Sequence, residues 1–249
     1  VYARRIGLDV VAGMSTTGHC DRALQLHPEW AGVHADGTRW QCAMCHNNPL
    51  AREFVQDLVE EVLDRYPGFT GVFLHPPEVG EYCHCPHCQS LYQQETGRAL
   101  KDLDETARMS WFWITAARFM AALFNQVHSH AAGLNLFTCS IPGVWRRHFP
   151  VIGPLLPKSV GIMHWCYGRL TEKQRDQMAA DLRAFAAYGH AVSFANSLIF
   201  ASSTMTDGEL RENNLANNQV ARAAGVKEIV YFLGPVWQEH RIFAGSAPP

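Results

Sequence analysis

The stretch Thr70-Gly-Val-Phe-Leu-His-Pro-Pro-Glu-Val-Gly-Glu-Tyr-Cys-His-Cys-Pro-His-Cys88 decides how the chain is read. A short apolar run, Thr70–His75, stops at Pro76-Pro77 and gives way to Glu78 and then to three cysteines. Comparable runs recur at Ile6–Ala12, Leu134–Ser140, Val160–Cys166, Ala191–Ser197 and Glu228–Leu233. Each has the length of a buried strand, and helical periodicity lies between them. Residues 49–65 place Phe54, Val55, Leu58, Val59 and Val62 on one helical face, with Asn48 as cap and Pro49 at the first position. Residues 105–131 read as a long helix rich in Trp111, Trp113 and Phe119, and Thr171/Gln174 and Thr206/Glu209 have capping-box spacing before two more.

Strand–helix alternation without hairpin signals predicts a parallel sheet. A repeat of roughly 30 residues per unit suits a (β/α)8 barrel or a doubly wound sheet. No G-x-G-x-x-G or G-x-x-x-x-G-K-[ST] follows any strand, which removes the main phosphate-cradle argument for the second. The expected fold is therefore α/β, a (β/α)8 TIM barrel truncated at its N-terminus. Residues 1–245 form one domain of about six β/α units, and residues 246–249 a tail. The chain opens almost inside a strand, at Arg5–Val11, so a piece of a longer protein is expected.

The 249 residues are 47% hydrophobic and 18% charged, with 21 basic against 23 acidic side chains. That balance lacks the positive field that phosphate backbones need, so nucleic acid is not an expected partner. No run of ~18 apolar residues exists, so no membrane span is expected.

Five of the eight cysteines fall in two clusters, Cys42-Ala-Met-Cys45-His46 and Cys83-His-Cys85-Pro-His-Cys88. C-x-x-C and C-x-C spacings favour metal over a disulfide framework. Adjacent barrel loops lie side by side, so Cys45, Cys83, Cys85 and Cys88 are expected to close a tetrahedral structural zinc site. Cys42, His46, His84 and His87 are substitute ligands; reduced thiols or one disulfide is the alternative. Four sulfurs leave no position for water, so such a zinc pins loops and does not catalyse. Thiolates of this kind favour reducing surroundings, which leaves the compartment open and tips it toward the cytoplasm. Cys42–His46 also spells the C-x-x-C-H haem-attachment pattern, but nothing else in the chain argues for haem.

Polar and aromatic residues gather where strands end: His75 and Glu78, Trp145, then His164, Trp165 and Tyr167, then Asn196, then Trp237. In a barrel these ends converge on one mouth. Rings that stack on C–H faces, with amide and imidazole donors for hydroxyls, make a sugar site; rim packing is the alternative.

Residues 5–100 resemble the β-galactosidases of glycoside hydrolase family 42. The resemblance rests on Cys45-His-Asn-Asn-Pro49, then Glu78-Val-Gly80, then the Cys83–Cys88 cluster with Leu91-Tyr92 and Thr96-Gly97 behind it. In that family the cysteines hold zinc, the strand-end Glu is the general acid/base of a retaining glycosidase, and the protein often trimerises. The resemblance thus implies a carbohydrate substrate and a homo-oligomer. Two departures stand out. Pro77 replaces an Asn that contacts the sugar, and Val192–Ser197 ends without the nucleophilic Glu expected on the seventh strand. The family's double displacement does not carry over.

Glycoside cleavage needs one carboxyl to protonate the leaving oxygen and usually a second as base or nucleophile. Glu78 is the expected acid/base, with Glu81 as substitute donor and His75 or Glu81 tuning it; a rim carboxylate in a salt bridge is the alternative. The second carboxyl falls to Glu239, to Asp9 or to absent units, since Asp207 and Glu209 read as helix caps. Substrate assistance would use Asn196 or Tyr167 to orient an acetamido group. The expected function is cleavage of an oligosaccharide or glycoside. A carbohydrate-binding barrel without catalysis is the runner-up, and a hydrolase or redox protein using the cysteines directly is third.

Overall fold

The computed structural model describes residues 5–140, 144–197 and 205–232. They fall into two compact units, the first from residues 5–139 and 144–160 and the second from residue 140 with 161–197 and 205–232. Each contains three parallel strands and the helices that follow them.

In the first unit, β1 (Val11–Ser15) pairs with β4 (Gly71–His75), which pairs with β5 (Asn135–Ser140). Register runs from Val11 opposite Gly71 to Ser15 opposite His75, so both strands end level. Gly71 is required here: a Cβ would lie 2.8 Å from the Asn135 carbonyl oxygen. Between β1 and β4 lie α1 (Asp21–Leu26), a hairpin of β2 (Ala31–Val33) and β3 (Arg39–Met44), and α2 (Pro49–Arg65). After β4 come α3 (Pro86–Thr96) and α4 (Glu105–His130), and after β5 comes α5 (Val144–Ile152).

The 26-residue α4 buries Phe112, Trp113, Phe119, Met120, Leu123, Phe124 and Val127 almost completely. At ~1.5–3 kcal/mol per large apolar side chain, it is the main source of cohesion in this unit. Helix α2 packs on it through Arg52 over the Phe119 ring and a hydrogen bond donated by the Gln126 side-chain amide to the Gln56 carbonyl. Asn48 caps α2 as expected, accepting from the Leu50 amide at 3.0 Å. The buried stripe of α2 is Ala51, Val55, Val59 and Leu63, an i, i+4 row. Phe54, expected on that face, is more exposed and meets Trp30, ring centroids 5.1 Å apart.

In the second unit, β6 (Val160–Trp165), β7 (Val192–Ser197) and β8 (Glu228–Phe232) are parallel in that order. Helices α6 (Glu172–Ala187) and α7 (Asp207–Ala223) close over Leu170, Met178, Leu182, Phe194, Ala221 and Val226. Both expected capping boxes form, Thr171 with Gln174 and Thr206 with Glu209.

Two expectations fail. The first strand is Val11–Ser15, not Ile6–Ala12; Ile6 and Leu8 are more than half exposed, and apolar character alone did not reveal that they lack a strand partner. Asp9 consequently lies outside the strand and in solvent. The β2–β3 hairpin was not expected at all, although Asp36-Gly37 is a turn signal. There the His34 amide bonds the Thr38 carbonyl, the Asp36 carboxylate takes the Thr38 amide, and Gly37 has φ +85°. Among the described residues no helix is long and apolar enough to cross a membrane.

Candidate functional site

Two clusters of chemistry-bearing side chains stand out in the first unit. The first is sulfur. Cys45 follows β3, Cys83 lies in the loop after β4, and Cys85 and Cys88 sit at the N-cap and first turn of α3. All four are buried, and their sulfurs lie within 4.8 Å of one another. Cys45 is 3.5 Å from both Cys85 and Cys88. With metal–sulfur bonds of about 2.3 Å, a tetrahedral site has sulfur–sulfur edges of about 3.8 Å. All eight cysteines are free, so no disulfide explains the cluster.

Amide donors surround the sulfurs. The Val33 amide donates to Cys83 at 3.3 Å, the Cys85 amide to Cys83 at 3.4 Å, and the Asn47 amide to Cys45 at 3.4 Å. The Asn47 side chain donates to Cys88 at 3.3 Å and to Thr115 Oγ1 at 3.1 Å. Hydrogen bonds from Cys45, Cys83 and Cys88 hold Cys85 far below the usual thiol range, while those from Cys83, Cys85 and Cys88 push Cys45 well above it. The N-terminus of α3 favours negative charge at the same place. The four cysteines could therefore hold a metal ion.

The substitute ligands lie elsewhere. Cys42 is exposed on β3. His46 is buried beside Phe112, and burial pushes its pKa down to about 3. Its Nε2 bonds Thr115 Oγ1 at 2.9 Å. The Thr115 hydrogen already goes to the Phe112 carbonyl, so His46 donates from Nε2 and is held as a structural imidazole. The hairpin missed in the sequence matters here, since Val33 supplies both the amide to Cys83 and a carbonyl to the His84 amide.

The second cluster surrounds Glu78, just past the C-terminal end of β4. One carboxylate oxygen lies 3.2 Å from His19 Nε2 and the other 3.3 Å from His75 Nε2. Side-chain exposure is 35% for Glu78, 7% for His75 and 58% for His19. Burial lowers the pKa of His75; the Glu78 charge opposes that shift and the His19 charge adds to it. The scaffold is backbone. The Thr16 amide and hydroxyl both donate to the His75 carbonyl, at 3.2 and 2.7 Å. Gly18 packs so tightly that a Cβ would sit 3.2 Å from the Glu78 nitrogen. His19 has φ +51°, alone among the described non-glycine residues in the left-handed region.

Sequence reasoning missed His19. Its signal was register: with β1 ending at Ser15, Thr16–His19 sits beside the residues that follow His75. Glu81, the substitute donor, is paired with His34 instead. Burial and the negative charge of Glu78 together push the Cys139 thiol well above its ordinary range.

The remaining expected sugar contacts fall in the second unit or outside the described residues. His164 is buried and shares a 2.5 Å hydrogen bond with Ser140; burial pushes its pKa down to about 4. Asn196 is buried too, and donates to Asn218, which donates to the Tyr231 hydroxyl. Trp165 and Tyr167 are half-buried, ring centroids 5.7 Å apart. Cys166 is pushed up to about 11 by burial, a protonated thiol unsuited to nucleophilic attack at neutral pH. Glu209 pairs with Arg169 and caps α7, the structural role anticipated for it. The side chain of Trp145, and Trp237 and Glu239 altogether, lie outside the described residues.

Residues 17–128, which contain both clusters, match the family described as Domain of unknown function (DUF4838). No curated protein matches the chain. Among solved structures, the glycoside hydrolase domain of PelA from Pseudomonas aeruginosa is similar at TM-score 0.55 and 18% identity, over 92% of this chain and 80% of that one. A variant of the same domain gives 0.56 and 19% over the same shares. The β-N-acetylhexosaminidase from Bacteroides fragilis NCTC 9343 is similar at 0.52 and 18% identity, over 78% of this chain and 34% of that one. This chain thus has an α/β fold of the kind found in glycoside hydrolase domains.

Proposed function

We propose that the chain is a glycoside hydrolase-like domain, a partial (β/α)8 barrel of about six units, that cleaves an oligosaccharide or glycoside with Glu78 as general acid/base. The observation that carries this reading is the position of Glu78. It is a solvent-accessible carboxyl past the end of a parallel strand, on a fold shared with glycoside hydrolase domains.

Glu78 in its acid form would deliver a proton to the glycosidic oxygen as the C–O bond breaks. His19 and His75 contact the two carboxylate oxygens and would stabilise the carboxylate left behind. Among the described residues the partners of Glu78 are imidazoles, and the substrate itself is proposed as the second catalytic group. An acetamido group, as the neighbouring acetylhexosaminidase's name suggests, could attack the anomeric carbon with only one enzyme carboxyl. Trp165 and Tyr167 are proposed to stack on the sugar. His75 is proposed to contact the sugar beside Glu78, whereas His164 and Asn196, also expected there, are buried and engaged by Ser140 and Asn218. Four cysteines, Cys45, Cys83, Cys85 and Cys88, would hold a structural zinc that ties the hairpin to the start of α3, which suits a reducing compartment such as the cytoplasm. A homo-oligomer is part of the same reading.

The test compares the parent chain with Glu78→Gln on a panel of chromogenic glycosides and acetamido glycosides. A loss of roughly 10²–10⁴-fold in turnover is expected. Equal rates would remove Glu78 from the chemistry. Undiminished oligosaccharide affinity in a chain that never cleaves would favour the binding-barrel alternative.

A further inference from the structure

The geometry points to a second metal site in the first unit, formed by His19, His75 and Glu78, that takes a divalent first-row transition ion independently of the four cysteines. Each side chain offers one ligand atom, and the three lie within 4.8 Å of one another. The nitrogen–oxygen separations of 3.2 and 3.3 Å are longer than charge-assisted hydrogen bonds, about 2.7–2.9 Å. They match the ligand–ligand edges around an ion with bonds of about 2.05 Å, which are about 2.9 Å for an octahedron and about 3.3 Å for a tetrahedron.

The two imidazoles face different oxygens of one carboxylate, so an ion between the rings meets its open edge. Two nitrogens and a carboxylate are the donor set that zinc, nickel, cobalt and iron(II) accept. Backbone contacts also bring the segments that carry these side chains together before any ion arrives. The His75 carbonyl is held twice by Thr16, and close packing of Gly18 on Pro76–Glu78 sets where His19 emerges. Exposure of His19 and Glu78 leaves the remaining coordination positions to water, unlike the sulfur cluster.

This site does not depend on glycoside cleavage. It does make the two uses of Glu78 exclusive, because an ion there occupies the oxygen that would carry the proton. Added metal should then suppress turnover by the same fraction that it fills this site.

The experiment titrates the full chain, its thiolate site already loaded with zinc, with Co²⁺, followed by calorimetry and visible absorption. One equivalent is expected to bind, giving weak d–d bands and no intense sulfur-to-cobalt charge transfer, while the bound zinc stays constant. His19→Ala changes an exposed side chain and should weaken uptake by at least about 100-fold, beyond the roughly 10–100-fold effect of losing an outer-shell partner. Glu78→Gln should do the same, and His34→Ala, which breaks a different imidazole–carboxylate pair, should change nothing. No uptake by a zinc-replete chain, uptake unaltered in His19→Ala, or cobalt appearing on sulfur would each overturn the site. If cobalt is not bound but Glu78→Gln still abolishes cleavage, the metal site fails and the acid stands. If cobalt binds as expected but Glu78→Gln cleaves as fast as the parent, the metal site stands and the acid fails.

Discussion

The two clusters of the first unit lie on neighbouring stretches of chain and are built on opposite principles. The sulfur cluster is buried, has four ligand atoms and is wrapped by amide donors. The Glu78 cluster has three ligand atoms, two of them on solvent-accessible side chains. Closure suits a role in holding loops together. An open position suits exchange, of a proton or of an ion. On the proposed reading, structure falls to the first and chemistry to the second.

The largest effect that could break this contrast is removal of the zinc proposed for the sulfur cluster. Structural zinc in small peptides contributes apparent binding free energies of ~10–16 kcal/mol, so chelation or Cys88→Ala should cost several kcal/mol and free the hairpin. Urea denaturation with metal analysis reads both. A chain that kept its stability and lost only activity would transfer the sulfur cluster to the chemical side.

The groups behind the sulfurs sharpen the contrast. Asn47 links Cys45, Cys88 and Thr115 through three donated hydrogen bonds. Asn47→Ala should weaken metal retention by about 10–100-fold in competition with a chelator. Wild-type retention would mean that the amide is a bystander.

A buried imidazole without a carboxylate partner gives a baseline for His75. His164, with a folded pKa of about 4 against an ordinary 6.5, is held neutral. The unfolded chain binds a proton there below about pH 6.5. This contribution to stability is therefore complete at neutral pH, falls as pH drops through about 6.5 to 4, and is flat below. Its full size is on the order of 3 kcal/mol, and His164→Gln should flatten that part of the profile. An unchanged profile would show that His164 is not insulated.

The smallest effect concerns half-exposed pairs. His34→Ala, which breaks the contact with Glu81, should change stability by less than about 1 kcal/mol. A larger loss would mean that this loop, and not the sulfur cluster, holds the segment after β4.

Much of this was legible in the residues. Parallel strands announced themselves as apolar runs ended by polar residues, and Thr171, Thr206 and Asn48 marked three helix starts by local hydrogen bonding alone. That four sulfurs would meet was legible because the cysteines come in two short clusters. What escaped depends on register and context. His19 acquires meaning only once β1 is shifted to end opposite His75. His164 and Asn196 carry polar groups suited to a ligand, but burial and the neighbours Ser140 and Asn218 engage them internally, which sequence spacing does not encode.

What Glu78 does for the leaving group can be measured directly. Parent and Glu78→Gln should be compared on one glycoside series, from nitrophenyl leaving groups to alkyl alcohols. Proton donation by Glu78 predicts a loss that grows with leaving-group basicity, small for nitrophenol and reaching about 10²–10⁴-fold for alcohols, because only a basic leaving oxygen needs a proton. A loss of the same size across the series, or none, would contradict it.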